Sequence, residues 1–163
     1  MEGYDQVVKE AICKIVHVIL NNRVPQPSIG KVKTSKWFNL EMEESEIVNE
    51  ELIPWRQNIN IPIFLSIYFV SKRRESAEKV LLERWMISYE LSNSKESVEV
   101  PTLYKKFLVL IRSLYIFVRT NYIYKIYQES KKKKLTSSKL VYELKSRPVS
   151  SYSQGNQYCK IIY

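Results

Sequence analysis

The sequence predicts an α+β fold in which a mainly antiparallel sheet packs against a long buried helix and an N-terminal helix. Residues 98–128 carry large apolar side chains at helical spacing around most of the helix circumference, as a core helix does. Residues 59–70 and 80–91 alternate with a period of two, which is typical of strands. Because strands and helices are segregated along the chain, the α+β class is favoured.

Composition limits the size and the kind of protein. The chain has 163 residues, 45% of them hydrophobic, which is enough to bury a core and predicts one domain over residues 1–163. A formal charge of +9 favours an acidic partner: a phosphoprotein, an anionic membrane surface or a nucleic acid. The chain has only three glycines, which argues against a glycine-rich nucleotide-binding loop. Cys13 and Cys159 lack metal-ligand spacing, and we expect both to be reduced thiols.

The first half of the chain begins with a predicted amphipathic helix over residues 4–22. His17, the only histidine, is predicted to be structural, because no second imidazole and no nearby nucleophile accompanies it. Residues 23–35 have the composition of a loop, and the glutamate-rich residues 41–51 predict a solvated acidic face. The acidic N-terminus and the lack of any apolar run near ~18 residues predict a soluble protein that is not secreted.

The second half contains the predicted strands and a cluster of charge. The polar residues 71–79 are expected to form the turn of an antiparallel hairpin between the two strands. Glu83 and Arg84 lie within the second strand among large apolar neighbours, so each requires a partner or access to water. Further strands are predicted over residues 139–145 and 157–163. The run Lys131–Lys134 could draw the domain to an anionic surface.

Three blocks of sequence resemble the N-terminal HORMA domain of the autophagy-related protein 13 family. These are SKWFNLEM at residues 35–42, VLLERWMISYEL at residues 80–91 and LYKKFLVLIRSLYIFVRTNYIYKIY at residues 103–127. They occur in the order of the family and cover about a third of the chain. The family usually has a Pro-Ala-Tyr step where this chain has Tyr122, Ile123 and Tyr124. Without that proline, we expect the long helix to continue through this point.

The resemblance implies a HORMA fold whose last strands form a C-terminal wrap-around hairpin. It also implies a non-enzymatic scaffold that pairs with a second HORMA protein, autophagy-related protein 101, in the autophagy-initiation kinase complex. Family members bind the kinase and other scaffold proteins through a long disordered tail, which is missing here, so we expect the chain to be the isolated domain. A cytoplasmic protein recruited to the phagophore assembly site, without a metal or cofactor, is the corresponding expectation.

Two sets of residues are candidates for binding. On the resemblance, Arg84 and Arg112 form a pair that holds an anion and senses a phosphorylated residue, with Arg119 as a peripheral contributor. The alternative is that each arginine pairs with a carboxylate such as Glu83 or Glu90, or extends to water. Lys105, Arg112 and Arg119, spaced by seven residues, form one narrow basic stripe on the helix.

The second set is Trp37 and Phe38, which are candidates for contact with a partner. The alternative is that both are core residues beside the acidic face.

Other classes of function remain as alternatives. A single histidine and the lack of GxSxG, CxxC and HExxH motifs argue against an enzyme. The positive charge and twelve tyrosines would suit a protein that binds nucleic acid by stacking, but no RNP, KH or helix-turn-helix signature is present, so this class is disfavoured. Binding to an anionic lipid surface is compatible with the scaffold hypothesis.

Overall fold

The computed structural model describes residues 2–25, 31–73, 76–90, 98–132, 138–147 and 159–161. The helices are α1 (Glu2–Leu20), α2 (Glu46–Glu51), α3 (Ile53–Gln57), α4 (Val100–Phe117) and α5 (Tyr122–Lys132), with a short 3₁₀ turn at Trp37–Asn39. The strands are β1 (Val32–Ser35), β2 (Met42–Ser45), β3 (Ile63–Arg73), β4 (Ser76–Ile87), β5 (Ser138–Lys145) and β6 (Cys159–Ile161). The predicted α+β class is confirmed.

The main sheet has the strand order β5-β3-β4-β6, with β3 and β4 as its central antiparallel hairpin. Strand alternation places the side chains of Leu65 and Trp85, which are partners in this register, on the face that belongs to the core. α1 and α4 supply the other side of that core, and the ring of Phe117 on α4 meets Trp85 edge-on at 6.3 Å. The apolar periods in the sequence therefore predicted which elements pack together.

The hairpin extends further than its apolar residues predicted. β3 continues to Arg73 and β4 begins at Ser76, so the expected turn over residues 71–79 was mostly wrong. Residues 71–73 pair with residues 76–78, at the end of the hairpin where none of the described side chains belongs to the core. Main-chain hydrogen bonds continue the ladder there without apolar side chains, which is why the alternation of apolar residues underestimated the strands.

The two C-terminal strands do not form a hairpin with each other, which corrects that prediction. β5 pairs antiparallel with β3, whereas β6 pairs parallel with β4, so they occupy opposite edges of the sheet. The central hairpin leaves one open edge on each side, and each edge accepts one of the last strands. The predicted strand over residues 139–145 is confirmed as β5; of the strand over residues 157–163, the structure describes residues 159–161.

The continuous helix predicted over residues 98–128 was also wrong, because the chain breaks between α4 and α5. The amides of Arg119 and Thr120 bond back three residues, to Ile116 and Phe117, which tightens the last turn of α4. The side chain of Asn121 then accepts the Tyr124 amide at 3.1 Å and caps α5. The break thus occurs without the family's proline.

A second, smaller sheet was not predicted. Residues 32–35, expected to be loop, form β1 and pair antiparallel with β2. A buried polar cluster attaches this ribbon to α1: Lys14 Nζ donates to the Ser35 carbonyl and hydroxyl, both at 3.1 Å, and to Glu44 at 3.3 Å. Burial lowers the pKa of Lys14, and the Glu44 carboxylate opposes that effect. Glu44 is therefore an exception to the solvated acidic face that residues 41–51 predicted.

Arg23 provides the partner that Glu83 requires. Its guanidinium is fully buried and contacts both carboxylate oxygens of Glu83, at 2.5 and 3.3 Å. The same guanidinium donates to the carbonyl of Val118 at 2.6 Å, just past the end of α4. This one side chain joins the segment after α1, the centre of β4 and the C-terminal end of α4, although the sequence placed it in a loop.

The first prediction concerns this ion pair. Arg23→Ala leaves the Glu83 carboxylate buried without its counter-ion, and we expect a loss of about 3–5 kcal/mol of unfolding free energy in urea denaturation. Lys79→Ala is the matched control, because Lys79 pairs with Glu143 at an exposed position and should cost less than ~1 kcal/mol. The double variant Arg23→Met, Glu83→Met should be more stable than Arg23→Ala. Equal losses for Arg23→Ala and Lys79→Ala would contradict the central role of the pair.

The second prediction concerns His17, which is fully buried on α1. Its Nδ1 lies 2.8 Å from the Cys13 carbonyl and donates to it, and burial lowers the pKa of the ring. Above about pH 7 the ring is neutral in both states and contributes no pH dependence. Below about pH 6.5 the unfolded chain binds a proton that the folded chain does not, so the unfolding free energy falls by up to about 1.4 kcal/mol per pH unit.

His17→Asn tests this interpretation, since an asparagine amide can still donate to the Cys13 carbonyl. We expect its unfolding free energy to vary less than that of the wild type between pH 7.5 and 5.5, measured by urea denaturation at each pH. Identical slopes for the two proteins would show that His17 binds protons equally in the folded and unfolded states, which would contradict a lowered pKa.

Candidate functional site

α4 has one face in the core and one face in water. Phe107, Ile111 and Leu114 are buried against α1 and the 3₁₀ turn. On the opposite side, Val109 and Ile116 are 63% and 64% exposed. The ring of Phe117, which also meets Trp85, is 51% exposed, and that of Tyr122 at the start of α5 is 73% exposed. We name these exposed large apolar side chains the α4 stripe (Val109, Ile116, Phe117 and Tyr122).

The surroundings of the α4 stripe are basic. Residues 100–128 contain five lysines and arginines and no aspartate or glutamate. Lys105, Lys106, Arg112 and Lys125 are exposed, as are Lys131 and Lys132 at the end of α5. Lys133 and Lys134, the rest of the predicted cationic run, lie outside the described residues. Exposed apolar side chains surrounded by positively charged side chains suit an acidic or anionic partner.

Arg112 contacts the Trp37–Asn39 turn from α4. Its Nη2 donates to the Asn39 carbonyl at 3.0 Å, and Tyr104 on the same helix accepts the Phe38 amide at 2.9 Å. Phe38 and Asn39 have φ values of 59° and 50°, a left-handed conformation that costs energy for residues with a side chain. The two contacts from α4 therefore hold a strained turn in place.

The two aromatic residues of this turn have different environments. Phe38 is fully buried and stacks on Tyr104 at 4.8 Å, so its side chain belongs to the core. Trp37 is half-buried and lines a polar cavity of about 440 Å³ with Lys36 and Arg56. Of the predicted pair, Trp37 alone has surface to offer a partner.

The three predicted anion-binding arginines make separate contacts. Arg84 is buried on β4 and donates from Nε to the Ser66 hydroxyl at 3.2 Å, on the sheet face opposite to its neighbour Trp85. Arg119 is exposed just past α4, where it donates to the Asn22 side chain at 2.9 Å and stacks over the Tyr115 ring at 3.8 Å. Arg112 and Arg119 share the exposed side of the molecule, whereas Arg84 lies within the sheet.

Sequence reasoning identified the basic stripe but missed the apolar one. The seven-residue spacing of the arginines predicts the basic stripe, whereas the apolar residues around most of the circumference predict a core helix and give no sign that Val109 and Ile116 are exposed. The same spacing of seven between Val109 and Ile116 would have revealed a second stripe. Within the described ranges, no group of three histidine, cysteine or acidic side chains could hold a metal ion. No helix of the described residues is long and apolar enough to cross a membrane.

Comparison with known proteins assigns the chain to a family. A family model described as autophagy-related protein 13 matches residues 8–72 and 66–159. Autophagy-related protein 13 of Ogataea parapolymorpha is 28% identical over 185 residues, covering 90% of this chain and 26% of that protein. Autophagy-related protein 13a of Arabidopsis thaliana is 29% identical over 153 residues, covering 75% and 25%.

Autophagy-related protein 13 of Yarrowia lipolytica is 28% identical over 194 residues, with coverage of 90% of this chain and 27% of that protein. The chain spans about a quarter of the length of these curated relatives. Since the family model matches well over half of the chain, in the same region that forms the core, the chain belongs to the autophagy-related protein 13 family.

Proposed function

We propose that this chain is a non-enzymatic scaffold domain of the autophagy-initiation kinase complex that pairs with a second HORMA protein, autophagy-related protein 101, through the α4 stripe. Membership of the family supports the role in autophagy. The observation that carries the pairing is the exposure of Val109 and Ile116 on a helix whose other face is core. A folded partner that covers this stripe would remove apolar surface from water, at about 25 cal/mol per Å².

The same role accounts for the basic rim. Exposed cations around an apolar centre resemble the polar rim of a protein interface, and they would favour a partner with acidic residues around its own apolar patch. In this proposal, binding of the kinase and of further scaffold proteins uses other parts of a longer protein, and recruitment to the phagophore assembly site in the cytoplasm follows from that assembly.

Tyrosine placement disfavours the nucleic-acid alternative. Tyr104 and Tyr127 are engaged in the fold, the first by its hydrogen bond to the 3₁₀ turn and the second by burial on α5. Tyr89 donates to Tyr4 at 3.1 Å, which ties the end of β4 to α1. A stacking platform requires a row of exposed rings, whereas Tyr122 alone is exposed among the tyrosines that the structure describes.

The third prediction tests the α4 stripe. Ile116→Glu places a charge in the centre of the proposed interface while keeping a good helix former, so pairing with autophagy-related protein 101 should weaken by at least about tenfold. Because the side chain is exposed, the unfolding free energy should change by no more than ~0.5 kcal/mol. Ile53→Glu is the matched control, since Ile53 is also exposed but lies on α3.

Size-exclusion chromatography of the mixed proteins at micromolar concentration, followed by calorimetry, measures this effect. Separate elution of the wild-type chain and autophagy-related protein 101 would contradict the proposed pairing. Wild-type pairing that Ile116→Glu and Ile53→Glu affect equally would move the interface away from the α4 stripe.

A second candidate activity is the sensing of a phosphate group. The observation that favours it is the exposure of Arg112 and Arg119 in a stretch without carboxylates. Guanidinium groups bind phosphate through paired hydrogen bonds, and both side chains could turn from their present contacts toward a shared anion. Arg84 would join them only if an anion reached the sheet.

The fourth prediction separates these possibilities by thermal melting in sodium phosphate and in sodium chloride of equal ionic strength. Phosphate should raise the melting temperature of the wild type more than chloride does, with the concentration dependence of mass action. Arg112→Ala and Arg119→Ala should each abolish this difference, and Arg84→Ala should retain it. Loss in all three variants would indicate one site that includes Arg84. Equal effects of phosphate and chloride in every protein would reject the sensor.

A further inference from the structure

β1 is the open edge of the two-stranded sheet. Among the described residues it has one strand neighbour, β2, on one side. Residues 31–34 are all exposed, and Val32 keeps 51% of its surface. Residues 31–34 are therefore exposed on both faces of the ribbon, whereas Glu44 and Ser45 of β2 are buried. A strand of this kind has main-chain groups available for pairing.

The register identifies which main-chain groups those are. The Glu46 amide donates to the Lys31 carbonyl at 3.1 Å, directly beyond the pair Val32 and Ser45. In an antiparallel ladder the inward and outward groups alternate, so Lys33 and Ser35 also direct their main chain at β2. Val32 and Thr34 direct theirs away from β2, and their N–H and C=O groups form the free edge.

A cavity of about 440 Å³ borders this edge. Its lining includes Lys33 and Ser35, which share one face of the ribbon with Glu44, together with Thr34, Trp37 and Arg56. The guanidinium of Arg56 donates to the Cys13 sulfur at 3.1 Å, while its closest oxygen contacts are long, at 3.5 Å to Asn49 and 3.9 Å to Glu10. The cavity thus offers Lys33, Arg56 and Trp37 beside a strand edge, and its lining also contains the carboxylates of Glu10 and Glu44, of which Glu44 is bound by Lys14.

The charged side chains beside β1 indicate which kind of strand could pair with its open edge. Lys31, Lys33 and Lys36 are all exposed on or beside β1, whereas the carboxylates of Glu41, Glu43 and Glu44 belong to the β2 side. Glu44 is held by the buried Lys14 and Glu41 lies 3.6 Å from Lys36, which leaves Lys31 and Lys33 as the cations along the outer edge. A second copy of this chain would bring lysines against lysines across the new pair, which is unfavourable. A strand that carries carboxylates at alternate positions would place them opposite these cations instead.

We propose that the outer edge of β1 docks an extended acidic segment of a partner protein, which adds a third strand to the ribbon. Val32 and Thr34 supply main-chain hydrogen bonds, and Lys31, Lys33 and Arg56 supply the charge that selects carboxylates. Because only two residues direct their main chain outward, the interaction is a short anchor that depends on charge and weakens with salt. This surface is separate from the α4 stripe and does not rest on the proposed pairing.

A blocked peptide of alternating glutamate and valine is the probe, and a peptide of alternating lysine and valine is its control. The glutamate peptide should shift the amide resonances of Val32 and Thr34 in the full chain and slow their hydrogen exchange, with affinity that falls as salt is added. The lysine peptide should cause neither change. Equal binding of both peptides, or shifts confined to α4 and α5, would overturn the proposal.

Thr34→Pro provides the decisive variant. It removes an outward N–H and leaves the β1 to β2 hydrogen bonds intact, as edge strands tolerate. Binding of the glutamate peptide should fall at least about tenfold, whereas Thr34→Val, which keeps the N–H, should bind like the wild type.

The double variant Lys31→Glu, Lys33→Glu covers the case in which Thr34→Pro disturbs the ribbon. Its main chain is unaltered, so it should no longer bind the glutamate peptide and should bind the lysine peptide instead. Retention of the glutamate preference in this variant would overturn the proposal.

Discussion

The buried pairing of Arg23 with Glu83 constrains the rest of the molecule. A carboxylate in the middle of a core strand is tolerated only with a counter-ion and hydrogen bonds, and Arg23 supplies both. Its additional bond to the Val118 carbonyl satisfies an acceptor that the end of α4 leaves open. The position of α4 on the sheet and the place where α4 ends are thus coupled to one side chain that follows α1.

That coupling explains why α4 has two unlike faces. The inner face packs on α1 and on the 3₁₀ turn, where Tyr104 and Arg112 hold Phe38 and Asn39 in their left-handed conformation. The cost of that conformation is offset by burying the Phe38 ring against Tyr104. On the outer face, the apolar side chains of Val109 and Ile116 are mostly exposed to water. A helix fixed so firmly on one side presents a rigid surface on the other, which suits recognition without reorganisation.

Apolar periodicity predicted the elements that build the core and failed where polar contacts decide the structure. α1, the central hairpin and the core face of α4 follow from spacing alone, since their residues bury the same faces in any packed arrangement. β1 could not be predicted from Lys33, Thr34 and Ser35, because a polar strand forms only beside its partner. The break before Asn121 and the role of Arg23 depend on groups distant in the chain. Arg84 and Arg112 match the resemblance as residues, but sequence spacing could not show that Arg84 donates to Ser66 within the sheet whereas Arg112 donates to Asn39 in the 3₁₀ turn.

The ribbon of β1 and β2 shows how a marginal element becomes a fixed one. Two isolated strands are barely stable in water, yet Lys14 crosses from α1 to bind Ser35 and Glu44 inside the domain. Replacing Lys14 or Glu44 alone would leave the other charge buried without a counter-ion. The network therefore resists separation of the ribbon from α1. Because this anchor uses the inward face and the β2 side, it leaves the outward groups of Val32 and Thr34 unconstrained. Contacts with the core therefore order β1 in the absence of a partner. Only the partner's segment loses conformational entropy when it binds.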